Sequence, residues 1–379
     1  MLRLMTRRTR GWLLRLGTLG LCAAVLPRAW LSTPPSVVEL GRSVAHDVSS
    51  GVGAESFHTG SPRFDGEWAF GTYLMATLGL GQVALLYPEE RARFLPAMEQ
   101  SAARLVAKET NVFGTEAWGN VGLEHLADGQ GHGYLGYANL ALSMLRLVHG
   151  ETRYAKLNDE LTEAMARRLA AAPHALFETY PGEAYAPDMA MVAGSIALHD
   201  CAVGAPPRAF MPAWRAAFSH YIDADSGLLH QAASAETGVA SDKPRGSGTA
   251  ISAYALSFAD PELSRRLFTG LRRQAVNVLG FGMMREYAAG QAGTGDIDSG
   301  PVFLGVGVSA TGFSVAAARV HRDDQLFTAL YRTVGLVGVP LGDARGSHFM
   351  SGGPLGNAIL LAMLSAGPDF SRHCRRVAS

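Results

Sequence analysis

The chain has 379 residues, 48% of them hydrophobic and 17% charged, which is enough apolar material for a sizeable core and unlike a disordered chain. Lys plus Arg and Asp plus Glu number 33 each, so no net field draws the protein to nucleic acid, and nucleic-acid binding is not expected. Glycine is over-represented at 44 residues, about 12% against roughly 7% in ordinary proteins, without the Gly-X-Y period of a collagen.

Arg3, Arg7, Arg8 and Arg10 precede an apolar stretch from Trp12 to Leu26, broken by Arg15 and stopped by Pro27 and Arg28. Its uninterrupted part, residues 16–26, suits the apolar region of an export signal and is short for a helix that needs ~20 residues to cross a bilayer. Residues 1–30 therefore read as a signal peptide or membrane anchor, with the cleaved signal favoured and attachment to a membrane through the N-terminus left open. Either reading places the protein outside the cytoplasm, periplasmic or membrane-anchored. Beyond that segment only Cys201 and Cys374 remain. They lack zinc-site spacing, their separation does not decide a disulfide, and two inert thiols are the expectation.

From there on apolar residues recur with helical spacing, and alternating strand patterns are nearly absent. Start and stop signals predict twelve helices: 36–49, 66–86, 88–108, 132–149, 153–172, 186–203, 207–222, 247–258, 261–278, 302–320, 322–337 and 354–366. Residues 31–65 form a lead-in with the first helix, and 66–370 a single domain. Breakers such as Tyr87-Pro88, His149-Gly150 and Asp260-Pro261 make short links, which imply antiparallel neighbours. One helix of each pair is poor in charge and rich in Gly and Ala, and its partner carries the charges. The charge-poor helices should be buried and their partners outside. The fold class expected is all-α, an (α/α)6 barrel of two concentric rings, with glycine where inner helices crowd.

In such a barrel the loops that lead into the inner helices open at one mouth. Those loops carry aromatics, carboxylates and His together, the materials of a pocket for a small-molecule substrate. Glu286, Asp296 and Asp298 form the densest carboxylate group, where crowding would raise one pKa and leave another group ionised, as paired acid and base work requires. The competing reading is that Asp296 and Asp298 cap a helix or hold a turn. Tyr185, Asp188, Tyr180 and Glu183 form a second group, with Tyr185 and Asp188 as catalytic candidates and Glu183 for substrate binding, although Pro187-Asp188 also suits a plain helix start. Tyr137, Trp118, His132 and Trp68 are candidates for the substrate-binding wall, each also compatible with core packing. No metal or other cofactor is expected.

Several segments carry a resemblance to a known family: Gln82 to Pro88, Asn139 to Gly150 with Arg153-Tyr154, Pro187-Asp188, Ile251 to Tyr254, Arg285-Glu286 and Asp324 to Phe327. In their order and spacing, from about residue 66 to 366, the chain resembles the linalool dehydratase/isomerase family. The resemblance implies an (α/α)6 barrel and a cofactor-independent lyase that hydrates, dehydrates or isomerises a small alcohol by acid–base catalysis. Of the family's residues around the Pro-Asp segment, Asp188 carries over. The two cysteine positions hold Tyr185 and Gly194, and the His position holds Tyr137. On this reading Glu286 or Asp298 exchanges protons while Tyr185 and Tyr137 orient the hydroxyl. Two alternatives stand beside it, a glycoside hydrolase-like six-hairpin enzyme and a non-catalytic exported binding protein.

Overall fold

The computed structural model describes residues 11–12, 14–20, 22, 31–367 and 373–374, so most of the expected leader lies outside the described residues. In chain order the helices are α1 (Val37–Ser50), α2 (Pro62–Leu86), α3 (Arg91–Leu105), α4 (Val112–Trp118), α5 (His132–Val148), α6 (Ala155–Ala171) and α7 (Ala186–Val203). They continue as α8 (Met211–Phe218), α9 (Gly246–Ala259), α10 (Pro261–Gln274), α11 (Val308–Val320), α12 (Asp324–Gly338) and α13 (Gly353–Ser365). Four two-stranded antiparallel hairpins interrupt them: β1 (Leu229–His230) with β2 (Pro244–Arg245), β3 (Ala275–Val278) with β4 (Phe281–Met284), β5 (Val302–Phe303) with β6 (Val306–Gly307), and β7 (Pro340–Asp343) with β8 (Gly346–Phe349).

Helices α2, α5, α7, α9, α11 and α13 pack each on the next, and α13 packs back on α2, so the inner ring is closed. The charged helices α3, α6, α10 and α12 lie against it from outside, and α8 against α6. This is the concentric all-α arrangement that the charge division predicts. The helix assigned to the lead-in is part of it: α1 packs on α2, α3 and α13 and takes the sixth outer position. Helix α2 is long and apolar enough to cross a membrane by composition, yet most of it is buried in the ring.

Close packing explains part of the glycine excess. A Cβ on Gly194 of α7 would stand 2.6 Å from the carbonyl oxygen of Ala255 on α9, and a backbone atom in a packed ring cannot step aside. Gly194→Ala is therefore expected to lower stability by about 1–3 kcal/mol through overpacking, outweighing the ~1 kcal/mol that alanine gains over glycine in a helix. A urea titration that shows a stabilised variant would contradict this.

Three expected boundaries are corrected. Helix α2 starts at Pro62 rather than 66, because Pro62 occupies the first turn where its missing N–H costs nothing. Residues 275–278 are a strand rather than the end of a helix, since Val276 and Val278 prefer the extended backbone and Leu279-Gly280 makes a two-residue turn. Residues 302–307 likewise form a hairpin, and its helix begins only at Val308. The expectation for the cysteines is also corrected: Cys201 and Cys374 form a disulfide. Cys201 lies near the end of α7, far from the mouth, and α7 stands opposite α13 in the ring.

Candidate active site at the mouth of the ring

Asp188 stands in the first turn of α7 and is buried, yet both its oxygens are engaged. Tyr137 of α5 donates its phenol to Oδ1 at 2.6 Å, and Thr179 donates its hydroxyl to Oδ2 at 2.6 Å. Thr179 reaches it because the segment before α7 lies directly on α5, where a Cβ at Gly133 would be 2.4 Å from Thr179 Cα. Trp118 helps hold that segment by donating its indole N–H to the Thr179 carbonyl at 3.1 Å. Burial pushes the Asp188 carboxyl up to about 6, against the lowering effect of the two hydroxyls, and the charge of Glu67 adds to the rise. Burial and the Asp188 charge hold the Tyr137 phenol well above its ordinary value, so it stays a donor.

Glu67, two turns into α2, accepts from Tyr180 at 2.7 Å and from Arg63 Nε at 3.3 Å, and the Arg63 guanidinium lies 3.9 Å over the Tyr180 ring. Its carboxyl is nonetheless raised by burial. Beside it, Tyr185 donates to Glu183 at 2.6 Å on the exposed rim.

Asp298 comes from the loop between β4 and β5. The residue keeps solvent-exposed surface, yet crowding by the surrounding protein is the leading cause of its elevated pKa. Desolvation, then the charges of Glu67, Asp296 and Asp188, push it up to about 7, with Arg245 opposing. Glu67, Asp188 and Asp298 therefore sense one another across the mouth. Ser309 fixes the loop by donating to the Asp298 carbonyl at 2.7 Å.

The other expected site residues have structural places. Asp296 forms an Asx turn, accepting from the Ser299 N–H at 2.8 Å, and pairs with Arg245. Burial pushes its carboxyl up, but the Ser299 N–H and Arg245 outweigh that and hold it below the usual range. Glu286 has no exposed surface, which corrects its assignment as a group that meets substrate. Its carboxylate accepts from Ser247 Oγ at 2.6 Å, and a Cβ on Gly307 would be 2.6 Å from it, so it ties the start of α9 to the β5–β6 hairpin. His132 is buried edge-on to Phe177, and burial and Arg168 lower its pKa to about 4. Trp68 packs edge-on against Phe57, 5.8 Å between ring centres, rather than beside Glu67. Neither His132 nor Trp68 forms part of the carboxylate group. The sequence reading missed Glu67, Arg63 and Thr179 as site residues. The signal for the first two was Ser61-Pro62, which starts the helix early enough to bring both into its first two turns.

The buried acid has a consequence for stability. Burial pushes Glu286 from the ordinary 4.5 up to about 7. Its contribution is therefore fully present below pH 4.5 and is lost as pH rises to 7, by about 3 kcal/mol. Glu286→Gln cannot ionise, so the melting temperature of wild type minus that of the variant is expected to fall between pH 5 and pH 8. A difference independent of pH would refute the assignment.

A cleft of about 330 Å³ lies apart from these carboxylates, between α1, the β7–β8 hairpin and the start of α13, with Asp47, Arg345 and His348 in its lining.

No family model matches the chain, and no curated protein matches its sequence. Among solved structures, a GH76 alpha-mannanase of Bacteroides thetaiotaomicron is similar at 10% identity and a TM-score of 0.46, with 80% of this chain and 86% of that one covered.

Proposed function

We propose that the mouth is an acid–base active site that hydrolyses a glycosidic bond in a hydroxyl-rich substrate. The observation that carries this reading is the unlike pair of carboxyls at the mouth of the ring. Asp298 is an exposed residue whose carboxyl is pushed up to about 7, and Asp188 is buried and held by two hydroxyl donors that favour its charged form. Asp298 gives its proton to the leaving oxygen, and a water adds at the anomeric carbon as its proton passes to Asp188. Asp188 is nearly enclosed with both oxygens occupied, which suits a base acting on water better than a nucleophile reaching a sugar carbon, so the product has inverted configuration. The surrounding Glu67, Glu183, Tyr180 and Tyr185 offer hydrogen bonds to several hydroxyls. Their polarity favours a sugar over a small apolar alcohol.

The hydro-lyase reading implied by the linalool dehydratase/isomerase resemblance has one observation in its favour: Tyr137, at that family's His position, donates to Asp188, the residue that carries over. Against it, Gly194 stands at a cysteine position where the Ala255 carbonyl leaves no room for a side chain. The disulfide and the basic, apolar N-terminus support export.

The test is to incubate the purified protein with a panel of hexose oligosaccharides and, separately, with tertiary allylic alcohols. Proton NMR then follows the anomer first released. Inverted sugar product is expected. Release of alkene with no sugar turnover would replace this reading by the hydro-lyase one.

The acid cluster also sets the pH profile. The Glu67 charge raises Asp298, so Glu67→Gln is expected to lower the Asp298 pKa and move the alkaline limb of kcat/KM to lower pH. An unmoved alkaline limb in an active Glu67→Gln enzyme would remove Glu67 from the site.

A further inference from the structure

The hairpins β3–β4 and β5–β6 both turn through Leu-Gly with both residues in the left-handed region, Leu279 at φ 53° and Leu304 at φ 51°. Asn or Asp is the residue that eases the first position of such a turn, and a leucine there is strained by its Cβ against the following carbonyl oxygen. The cost is not repaid within the protein, because Leu279 is 66% exposed, Leu304 86% and the neighbouring Phe303 73%. Strain that presents bare apolar side chains to solvent marks a surface that meets something apolar.

The tips belong to one side of the molecule. Strand β4 contacts both β6 and α12, and Arg332 of α12 donates to the Gly280 carbonyl at the first tip, at 3.4 Å. One turn further along the same helix face is Leu336, exposed like its neighbour Val337. The N-terminal chain reaches this side too. A Cβ at Gly335 would be 3.0 Å from Leu31, and Arg332 Nη2 donates to Ser32 at 3.1 Å. The segment that precedes Leu31 carries six arginines, four of them ahead of its apolar stretch, in which Trp12, Leu14, Leu16 and Leu19 are exposed.

We propose that this side docks on a lipid bilayer, with the Leu279 and Phe303-Leu304 tips seated at the boundary between headgroups and acyl chains. A second copy of the chain would also cover leucines. The bilayer is favoured on the anchor reading of the N-terminus, in which the segment that precedes Leu31 is retained and its basic residues ahead of an apolar stretch suit anionic headgroups. Docking places the loop that carries Asp298, which runs directly into β5, next to the membrane surface.

The test uses the full chain with Cys22→Ser and a nitroxide on Leu304→Cys, or on Leu279→Cys in a second preparation, mixed with vesicles of zwitterionic and anionic phospholipid. Power-saturation spectroscopy is expected to show each tip gaining accessibility to oxygen and losing it to a water-soluble nickel complex. A label on Leu86→Cys, at the far end of α2, should stay aqueous. The proposal is overturned if the protein does not float with the vesicles, or if it floats with both tips still water-exposed. It is equally overturned if the tips become shielded without lipid as protein concentration rises, which would identify a second copy as the occupant.

Discussion

Asp298→Asn is expected to lower kcat/KM by on the order of 10²–10⁴-fold, the usual contribution of a positioned general acid, without lowering the melting temperature at neutral pH. The second half follows from the structure: Asn removes a carboxyl whose ionisation the surrounding protein disfavours, and the loop is fixed by its backbone carbonyl and by the Asp296 turn. Asp188→Asn should be as damaging to activity for a different reason. It removes the group that takes the proton from water, and it places an amide N–H₂ against one of two hydroxyl donors at 2.6 Å, so it should also destabilise the protein. In wild type, kcat/KM should rise with pH as Asp188 ionises near 6 and fall as Asp298 loses its proton near 7, giving a narrow bell whose limbs belong to the coupled cluster. In Asp298→Asn the alkaline limb should disappear while the acid limb stays. An Asp298→Asn enzyme with full activity, or with the same bell, would end the assignment.

Helix pairing was legible because charge and glycine divide so cleanly between successive helices; Glu89 to Arg104 could not be inner and Gly133 to Ala141 could not be outer. The hairpins were not legible. Val276, Val278, Val302 and Val306 lie next to strongly helical sequence, and a four-residue strand holds too few residues to set a period of its own. The site was half legible. Asp188 and Asp298 stand out as candidates because acids are conspicuous in mouth loops, and Tyr137 because it sits a turn inside an apolar helix. Glu286 misled for the same reason: composition does not distinguish a carboxylate that faces solvent from one folded under a hairpin against Ser247. Glu67 escaped because a helix start set four residues late leaves Arg63 outside the helix and Glu67 at its very beginning, instead of one turn apart on a common face. A disulfide between positions so far apart depends on two helices standing opposite each other in a closed ring, which no local pattern encodes.

That disulfide carries the other large expected effect. Cys201 and Cys374 are 173 residues apart, and closing a loop of that length restricts the unfolded chain by about 5 kcal/mol in the chain-entropy account, where measured disulfides more often contribute 2–4. Its place matters as much as its size. It sits at the end of the ring away from Asp188 and Asp298 and ties Cys374 to the end of α7, which stands opposite α13 in the ring. Reduction, or Cys201→Ser with Cys374→Ser, is therefore expected to lower the denaturant midpoint clearly while kcat/KM at a temperature where the ring stays folded is unchanged. The two readouts separate two roles. A fall in midpoint with unchanged kinetics fits a covalent strap that stabilises the closed end of the ring, and parallel loss of both would show that the far end governs the geometry of the mouth. An unchanged midpoint after complete reduction would show that the ring holds its C-terminus without the bond.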